Sequence, residues 1–354
     1  MKLKLVCLPG DGIGPEVMES AVQVLKAIES TYKHEFHFST CLFGGRAIDH
    51  TGSSLPTETL EECLLSDAVL LGAVGGPKWD HGSERPESGL LRLRKVLNLY
   101  ANIRPVDVYN ELLECSPLKS ERVKDVSFVV VRELTGGIYF SEPRFHDDNN
   151  ATDTLTYSRY EIERIVNYAF ELASARNKKV TSVDKANVLE SSKLWRKVVN
   201  EVSNNYPNIE VEHLLVDAAA MEMIRNPKRF DVIVTENLFG DILSDEASMI
   251  AGSLGLLPSA SKSGNGPSLY EPIHGSAPDI AGQNKANPIA MLRSVSMLLR
   301  DFSLREESNS IERAIEKTIK DGYLTADLGG SYTTTEVTNQ VLKHITSKVA
   351  EGIK

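Results

Sequence analysis

Long hydrophobic runs are missing from this 354-residue chain. No apolar stretch approaches the roughly 20 residues that a membrane-crossing helix needs, so no membrane partner is expected. The N-terminal LKLVCLPGDG is too short a run for a secretory signal, and Pro9 and Asp11 break it. Cysteine is scarce. Cys7, Cys41, Cys63 and Cys115 are scattered, with no CxxC pair and no histidine at metal spacing. They read as reduced thiols of a reducing compartment, and a cytoplasmic location is expected. Positive charge is in deficit, since 39 Lys and Arg against 49 Asp and Glu leave a net charge of −10. A nucleic-acid partner would require a basic stripe, and none is expected here. Internal repeats and low-complexity tracts are also lacking. What remains is an ordinary globular composition, 41% hydrophobic and 25% charged, long enough for about two domains at roughly 150 residues each.

The pattern of apolar residues supplies strands alternating with helices. Short apolar or β-rich runs at 2–8, 34–40, 67–74, 126–131, 179–184 and 231–235 read as strands. Amphipathic stretches at 17–28, 90–99, 160–176, 242–254, 291–302 and 311–319 read as helices. Such alternation predicts an α/β class with a largely parallel sheet. After the first strand, Gly10-Asp11-Gly12-Ile13-Gly14-Pro15 invites a Rossmann assignment, which fails. Its third glycine comes one residue early, Pro15 stands in that glycine's place, and no acidic residue ends a second strand about 20 residues on. A tight turn at a strand's carboxyl end is left. The Gly75-Gly76 loop is a second place where backbone can approach a ligand closely.

Chemistry concentrates in residues 231–259. On the predicted helix Ile242, Leu243, Ala247, Ile250 and Leu254 share one face, and Gly255 marks its stop. Asp241 and Asp245 lie one turn apart, where like charges repel by a few tenths of a kcal/mol. A hard divalent cation would relieve that repulsion, and a solvated acidic face is the plain alternative. Arg94 lies on a helix, Arg104 just beyond it, and Arg132 follows an apolar strand. Three planar guanidinium forks in an acidic chain suit a di- or tricarboxylate; unrelated surface ion pairs are the other reading. Lys185 ends a strand, as a surface cation or, if desolvated, as a base. Asp217 falls in an apolar stretch and needs a cation or a cap. Residues 274–279 read as the entry to a helix, with N–H groups suited to phosphate or ribose. The polar segment 142–157 reads as an arm that pairs with another subunit, with disorder as the alternative.

An ordered series of motifs runs along nearly the whole chain. It comprises GDGIGPE at 10–16, GAVGGPKW at 72–79, ESGLLRLRK at 87–95, YANIRPV at 100–106 and VRELTGGIYF at 131–140. VDKANVL at 183–189, TENLFGDILSDEASMIAGSLGLLPSAS at 235–261 and YEPIHGSAPDIAGQNKANPIAM at 270–291 complete it. In content and order the series resembles the isocitrate/isopropylmalate family of β-decarboxylating dehydrogenases.

The resemblance implies a two-domain, non-Rossmann α/β fold with an open sheet. The cofactor-binding domain would be discontinuous, 1–100 with 253–354. Residues 101–252 would form the dimerisation and metal/substrate domain, including the β-arm 142–157, with the active site in an interdomain cleft. It implies that Arg94, Arg104 and Arg132 hold substrate carboxylates, with Leu90 and Leu91 forming an apolar pocket for the substituent. Asp241 and Asp245 of one subunit, with Asp217 of its dimer mate, would bind Mg²⁺ or Mn²⁺, and Asp217 would also border the substrate. Lys185, again from the mate, would be the base and Tyr139 the acid. NAD would lie on Gly75, Gly76 and Glu87 at its nicotinamide end. His274, Gly275, Ser276, Ala277, Pro278, Asp279, Ile280 and Asn287 would frame its adenosine. NADP-using relatives carry lysine and tyrosine where this chain has Asp279-Ile280, so NAD is implied. The implied reaction is the oxidative decarboxylation of (2R,3S)-3-isopropylmalate to 4-methyl-2-oxopentanoate and CO₂ in leucine biosynthesis, by a homodimer with shared sites. The same chemistry on tartrate, malate or homoisocitrate is the nearest alternative, and a catalytically idle binding protein is the alternative from another class.

Overall fold

A computed structural model describes residues 1–351. The chain divides into two compact units, Met1–Asn98 with Ser253–Lys354, and Leu99–Gly252. The first unit opens with β1 (Lys2–Gly10), α1 (Gly14–Tyr32), β2 (Glu35–Thr40), α2 (Gly44–Thr51), α3 (Thr57–Leu65), β3 (Ala68–Ala73) and α4 (Pro86–Val96). The second unit begins with β4 (Leu99–Asp107), α5 (Ser120–Val123) and β5 (Ser127–Glu133), then the two-residue strands β6 (Phe145–His146) and β7 (Ala151–Thr152). It continues through α6 (Arg159–Ser174), β8 (Lys179–Asp184), α7 (Glu190–Ser203), β9 (Glu210–Leu215), α8 (Val216–Arg225), β10 (Val232–Thr235) and α9 (Asn237–Ala251). The chain returns to the first unit with β11 (Pro258–Ser263), β12 (Ser268–Pro272), α10 (Ile289–Asp301), α11 (Arg305–Lys320) and α12 (Thr334–Glu351).

Each unit is built on a mixed sheet. In the first, the order β2-β1-β3-β12-β11 is parallel apart from the β11–β12 pair. In the second, β4-β5-β10-β8-β9 is parallel apart from β4–β5. Every residue of β3 and of β10 is buried, which is why both read as unbroken apolar runs rather than alternating ones. Local signals set the helix ends. Pro15 enters the first turn of α1, where its missing N–H is not needed. Ser158 and Glu161 form a reciprocal capping box on α6, and Gly252, at φ 97°, closes α9 in the left-handed region.

The expected α/β class without a Rossmann unit is borne out, with local corrections. Leu99 begins a strand instead of ending a helix. Residues 275–277 are irregular, 278–284 form turns, and the next helix starts only at Ile289. The expected apolar face of α9 is also narrower. Leu243, Ala247 and Ile250 are buried, but Ile242 is 59% and Leu254 39% exposed, and the helix stops at Ala251. The apolar pattern does not announce helices α2, α3, α5, α7, α8 and α12, strand β9 or the antiparallel pair β11–β12. Polar residues in β11 masked its strand character.

Candidate active site

The second unit gathers much of the expected chemistry on the first turns of α9. Strand register explains how. Arg132 pairs with Thr235 across β5–β10 and with Asn102 across β5–β4, which places it beside the segment entering α9. Arg104, two residues from Asn102, projects to the same face of β4. The Arg132 Nη1 donates to Asp241 Oδ1 at 2.5 Å, and Tyr139 Oη donates to Asp241 Oδ2 at 2.9 Å. Arg104 donates from Nη1 to Asp245 Oδ1 at 3.2 Å and to Ser244 Oγ at 2.6 Å, and from Nε to Asn102 Oδ1 at 2.7 Å. Burial, and then the hydrogen bond to Asp241, push the Tyr139 hydroxyl above the usual phenol range. It stays protonated through neutral pH.

Arg132 is only 3% exposed. Leaving such a charge buried without a partner costs about 3–5 kcal/mol, so its surroundings are decisive. Asn237, fully buried at the start of α9, accepts from Arg132 Nη2 at 2.9 Å through its side chain and from Nε at 2.9 Å through its carbonyl. Its Nδ2 donates to Gly136 O at 3.1 Å, and its N–H donates to Tyr157 Oη at 2.8 Å. One side chain thus orients the guanidinium and ties down the loop before Tyr139. Tyr157 is therefore a buried anchor at the base of the 142–157 segment. The segment's outer part, with the β6–β7 ribbon, is exposed.

Lys185 and Asp217 form an ion pair between the end of β8 and the first turn of α8. Asp217 is not buried as its apolar neighbours suggested. Its side chain is 59% exposed, because the stretch divides into β9 and α8 and the aspartate falls at the helix entry. The hydrogen bond from Lys185 holds its carboxyl below the usual range. Beneath this pair the Lys185 N–H donates to Ser192 Oγ at 3.1 Å, and Ser192 donates to Glu236. Burial pushes the Glu236 carboxyl up to about 7, with the charge of Asp184 adding to it. Among the described residues no three His, Cys, Asp or Glu side chains are grouped to hold a metal ion, so Asp217 does not complete the Asp241–Asp245 pair within one chain.

In the first unit α4 presents Glu87, Leu90, Leu91 and Arg94 at i, i+3, i+4 and i+7, on a single face. Leu90 and Leu91 are half-buried and Glu87 is exposed. Arg94 pairs with Glu271 of β12 at 2.9 Å, both side chains 12% exposed. Gly75, at φ 102°, sits where a Cβ would come within 2.5 Å of Glu87 Oε1. Ser276 is buried, while Gly275, Pro278 and Asp279 are exposed and Ala277 and Ile280 intermediate. His274 Nε2 is buried with no hydrogen-bond partner, and burial holds the imidazole below the usual range, hence neutral. The Asn287 side chain donates to Asp327 at 3.0 Å and caps the Ile289 N–H at 3.0 Å. Asn102, Asn237, Ser192, Glu236 and Glu271 escaped the sequence reading, since neutral or isolated polar residues carry no spacing signal of their own.

A fold of two α/β units, with arginines and carboxylates converging at strand ends, defines an enzyme class that handles anionic acids. The family model described as isocitrate/isopropylmalate dehydrogenase matches residues 4–341, and the chain belongs to that family. It is 64% identical over 353 residues to a 3-isopropylmalate dehydrogenase of Bacillus cereus, covering 99% of each chain. It is 62% identical over 346 residues to that of Listeria innocua, covering 98% of this chain and 99% of the relative. Among solved structures, isocitrate dehydrogenase from Methylococcus capsulatus superposes with a TM-score of 0.87 at 37% identity, over 97% of this chain and 99% of that one. A β-decarboxylating dehydrogenase from Thermococcus kodakarensis gives 0.83 at 38% identity, over 98% and 97%.

Proposed function

We propose that this chain is an NAD- and divalent-metal-dependent dehydrogenase. It converts (2R,3S)-3-isopropylmalate to 4-methyl-2-oxopentanoate and CO₂ in leucine biosynthesis, as a cytoplasmic homodimer. The observation that carries the reading is the convergence of Arg104, Arg132 and Tyr139 on the Asp241–Asp245 turn. The donor set fits a hard cation, since both carboxylates are oxygen donors on the open side of α9, 36% and 65% exposed. When bound, Mg²⁺ or Mn²⁺ would polarise the substrate oxygen and NAD⁺ would accept the hydride.

The remaining work falls to the chain. Arg104 and Arg132 pair with substrate carboxylates as bidentate forks, and Asn237 and Asn102 hold those forks in plane. Lys185 takes the hydroxyl proton. Tyr139, kept protonated by burial and Asp241, delivers a proton to carbon after CO₂ departs. On α4, Arg94 would share with Arg104 and Arg132 in holding the two carboxylates, and Leu90 and Leu91 would contact the isopropyl group. NAD would lie against Gly75, Gly76 and Glu87, and against residues 274–280 and Asn287. The buried, partnerless His274 Nε2 supports a ligand there, and the exposed Asp279 carboxylate suits ribose hydroxyls and repels a 2′-phosphate.

The homodimer has an energetic argument. Ile242 and Met249 on α9, with Met221 and Ile224 on α8, are 44–65% exposed. Burying the exposed part of each would contribute about 1–2 kcal/mol, roughly half of what full burial gives. Asp245 lies between Ile242 and Met249 on the same stripe, so a second copy covering it would bring its own Asp217 and Lys185 to the carboxylate pair. The ribbon at 142–157 is the second contact in this reading.

The deciding assay is NADH formation from 3-isopropylmalate, beside malate, tartrate, homoisocitrate and isocitrate, with NADP⁺ and EDTA as controls. Preference for 3-isopropylmalate and NAD⁺, abolished by EDTA, is expected. Turnover of another acid alone would overturn the assignment of Leu90 and Leu91.

A further inference from the structure

We propose that Asp11 is a positioning residue for the cofactor: its carboxylate fixes the Gly75–Gly76 loop, and its turn, through Ile13, holds the loop at Ser276, both loops being assigned above to NAD. The proposal rests on that assignment. Asp11 lies in the turn after β1 that looked like a dinucleotide fingerprint and failed as one, and it is 1% exposed. Its Oδ2 accepts from the Gly75 N–H and the Gly45 N–H, each at 2.9 Å, and its Oδ1 accepts from the Arg46 N–H at 2.9 Å. Gly45 and Arg46 are in the first turn of α2, so their N–H groups are otherwise orphaned and lie at the positive end of the helix dipole. That end compensates the buried carboxylate, while Gly75 takes the same oxygen's remaining capacity. The Gly75–Gly76 loop is thereby anchored to α2 and not left to its own glycine freedom.

The second loop is held by the same turn. The Ile13 N–H donates to Ser276 O at 2.8 Å, and the Asp11 N–H donates to Ala73 O at 2.9 Å. Glycine is required on both sides of Asp11. Gly10 has φ 68° and Gly12 φ 56°, and a Cβ on either would lie 1.9 Å from a carbonyl oxygen, of Ala73 and of Ser276 respectively. Asp11 therefore sits in a turn of fixed shape whose carboxylate sets the nicotinamide-side loop and whose backbone sets the adenosine-side loop. Its carboxylate touches neither substrate nor cofactor in this arrangement. It acts on their alignment.

Asp11→Asn tests this. The amide keeps the size but offers one acceptor oxygen, and its NH₂ faces an N–H donor wherever it points. The Kd for NAD⁺, by titration, and the KM for NAD⁺ are expected to rise roughly tenfold, equivalent to about 1.4 kcal/mol. The KM for 3-isopropylmalate should stay within about twofold of wild type, and kcat at saturating NAD⁺ should fall less than the KM rises. A folded variant with wild-type NAD⁺ affinity, or with both KM values raised alike, overturns the proposal. If the variant does not fold, hydrogen exchange on the wild-type protein decides. Residues 44–46, 75–76 and 275–277 should exchange as one unit and slow together when NAD⁺ is added; independent exchange overturns it. Failure of the wild-type protein to bind NAD⁺ at all would instead overturn the functional reading beneath the proposal.

Discussion

At the scale of single residues, side chains proposed to meet the substrate are distinct from those that hold them in place. Tyr139→Phe removes the proposed acid and should lower kcat about 100-fold or more, with a smaller change in KM, read by steady-state kinetics. Glu236 behaves differently. Its carboxyl is held at about 7 against an ordinary 4.5, so the folded state favours the protonated form. The associated stability is complete below the ordinary glutamate value and is lost as pH rises through about 7. Its full size, about 3 kcal/mol, is an upper bound for a shift of this order. Glu236→Gln keeps an acceptor for Ser192 but cannot ionise. Wild-type Tm should therefore fall between pH 6 and pH 8 by more than the variant's; equal losses would refute the assignment.

At the scale of elements, α9 carries three roles on one turn pattern. Its buried face, including Leu243, Ala247 and Ile250, packs in the second unit, while its first turns hold Asn237 and Asp241. The outer stripe of Ile242, Asp245 and Met249 faces away from that core. A surface change usually alters stability by less than about 0.5 kcal/mol. The double substitution Ile242→Glu and Met249→Glu is thus expected to leave each protomer folded. Sedimentation should then show a monomer, and NADH production should drop to a few per cent of wild type. A dimer of normal activity would place the interface elsewhere.

At the scale of the whole molecule, the proposed sharing of residues between protomers would have a quantitative signature. Lys185→Met and Asp241→Asn should each be nearly inactive as homodimers. In a heterodimer of the two, one site combines the intact Asp241 of one protomer with the intact Lys185 of its partner. Random exchange of equal amounts makes half of the dimers mixed, each with one competent site of two. Roughly a quarter of wild-type activity should return. No recovery from verified heterodimers would mean that each site is built from a single chain.

Much of this protein is determined by local sequence. The period of its apolar residues set most strands and helices, and glycine with Pro15 set the turn after β1 without a Rossmann unit. Asp241 and Asp245 stand out because like charges one turn apart cost energy unless something answers them, and Arg104 and Arg132 because planar guanidinium forks near element ends suit carboxylates. Tertiary structure decided which groups answer. Asn237 reaches Arg132 from 105 positions away, and Asp11 reaches Gly75 from 64. Hydrogen bonds are short-ranged in space but indifferent to chain separation, so no local pattern announces them. Exposure was decided the same way. Ile242 and Asp217 carry neighbours that suggest burial, and only the packing of α8 and α9 shows that both face outward.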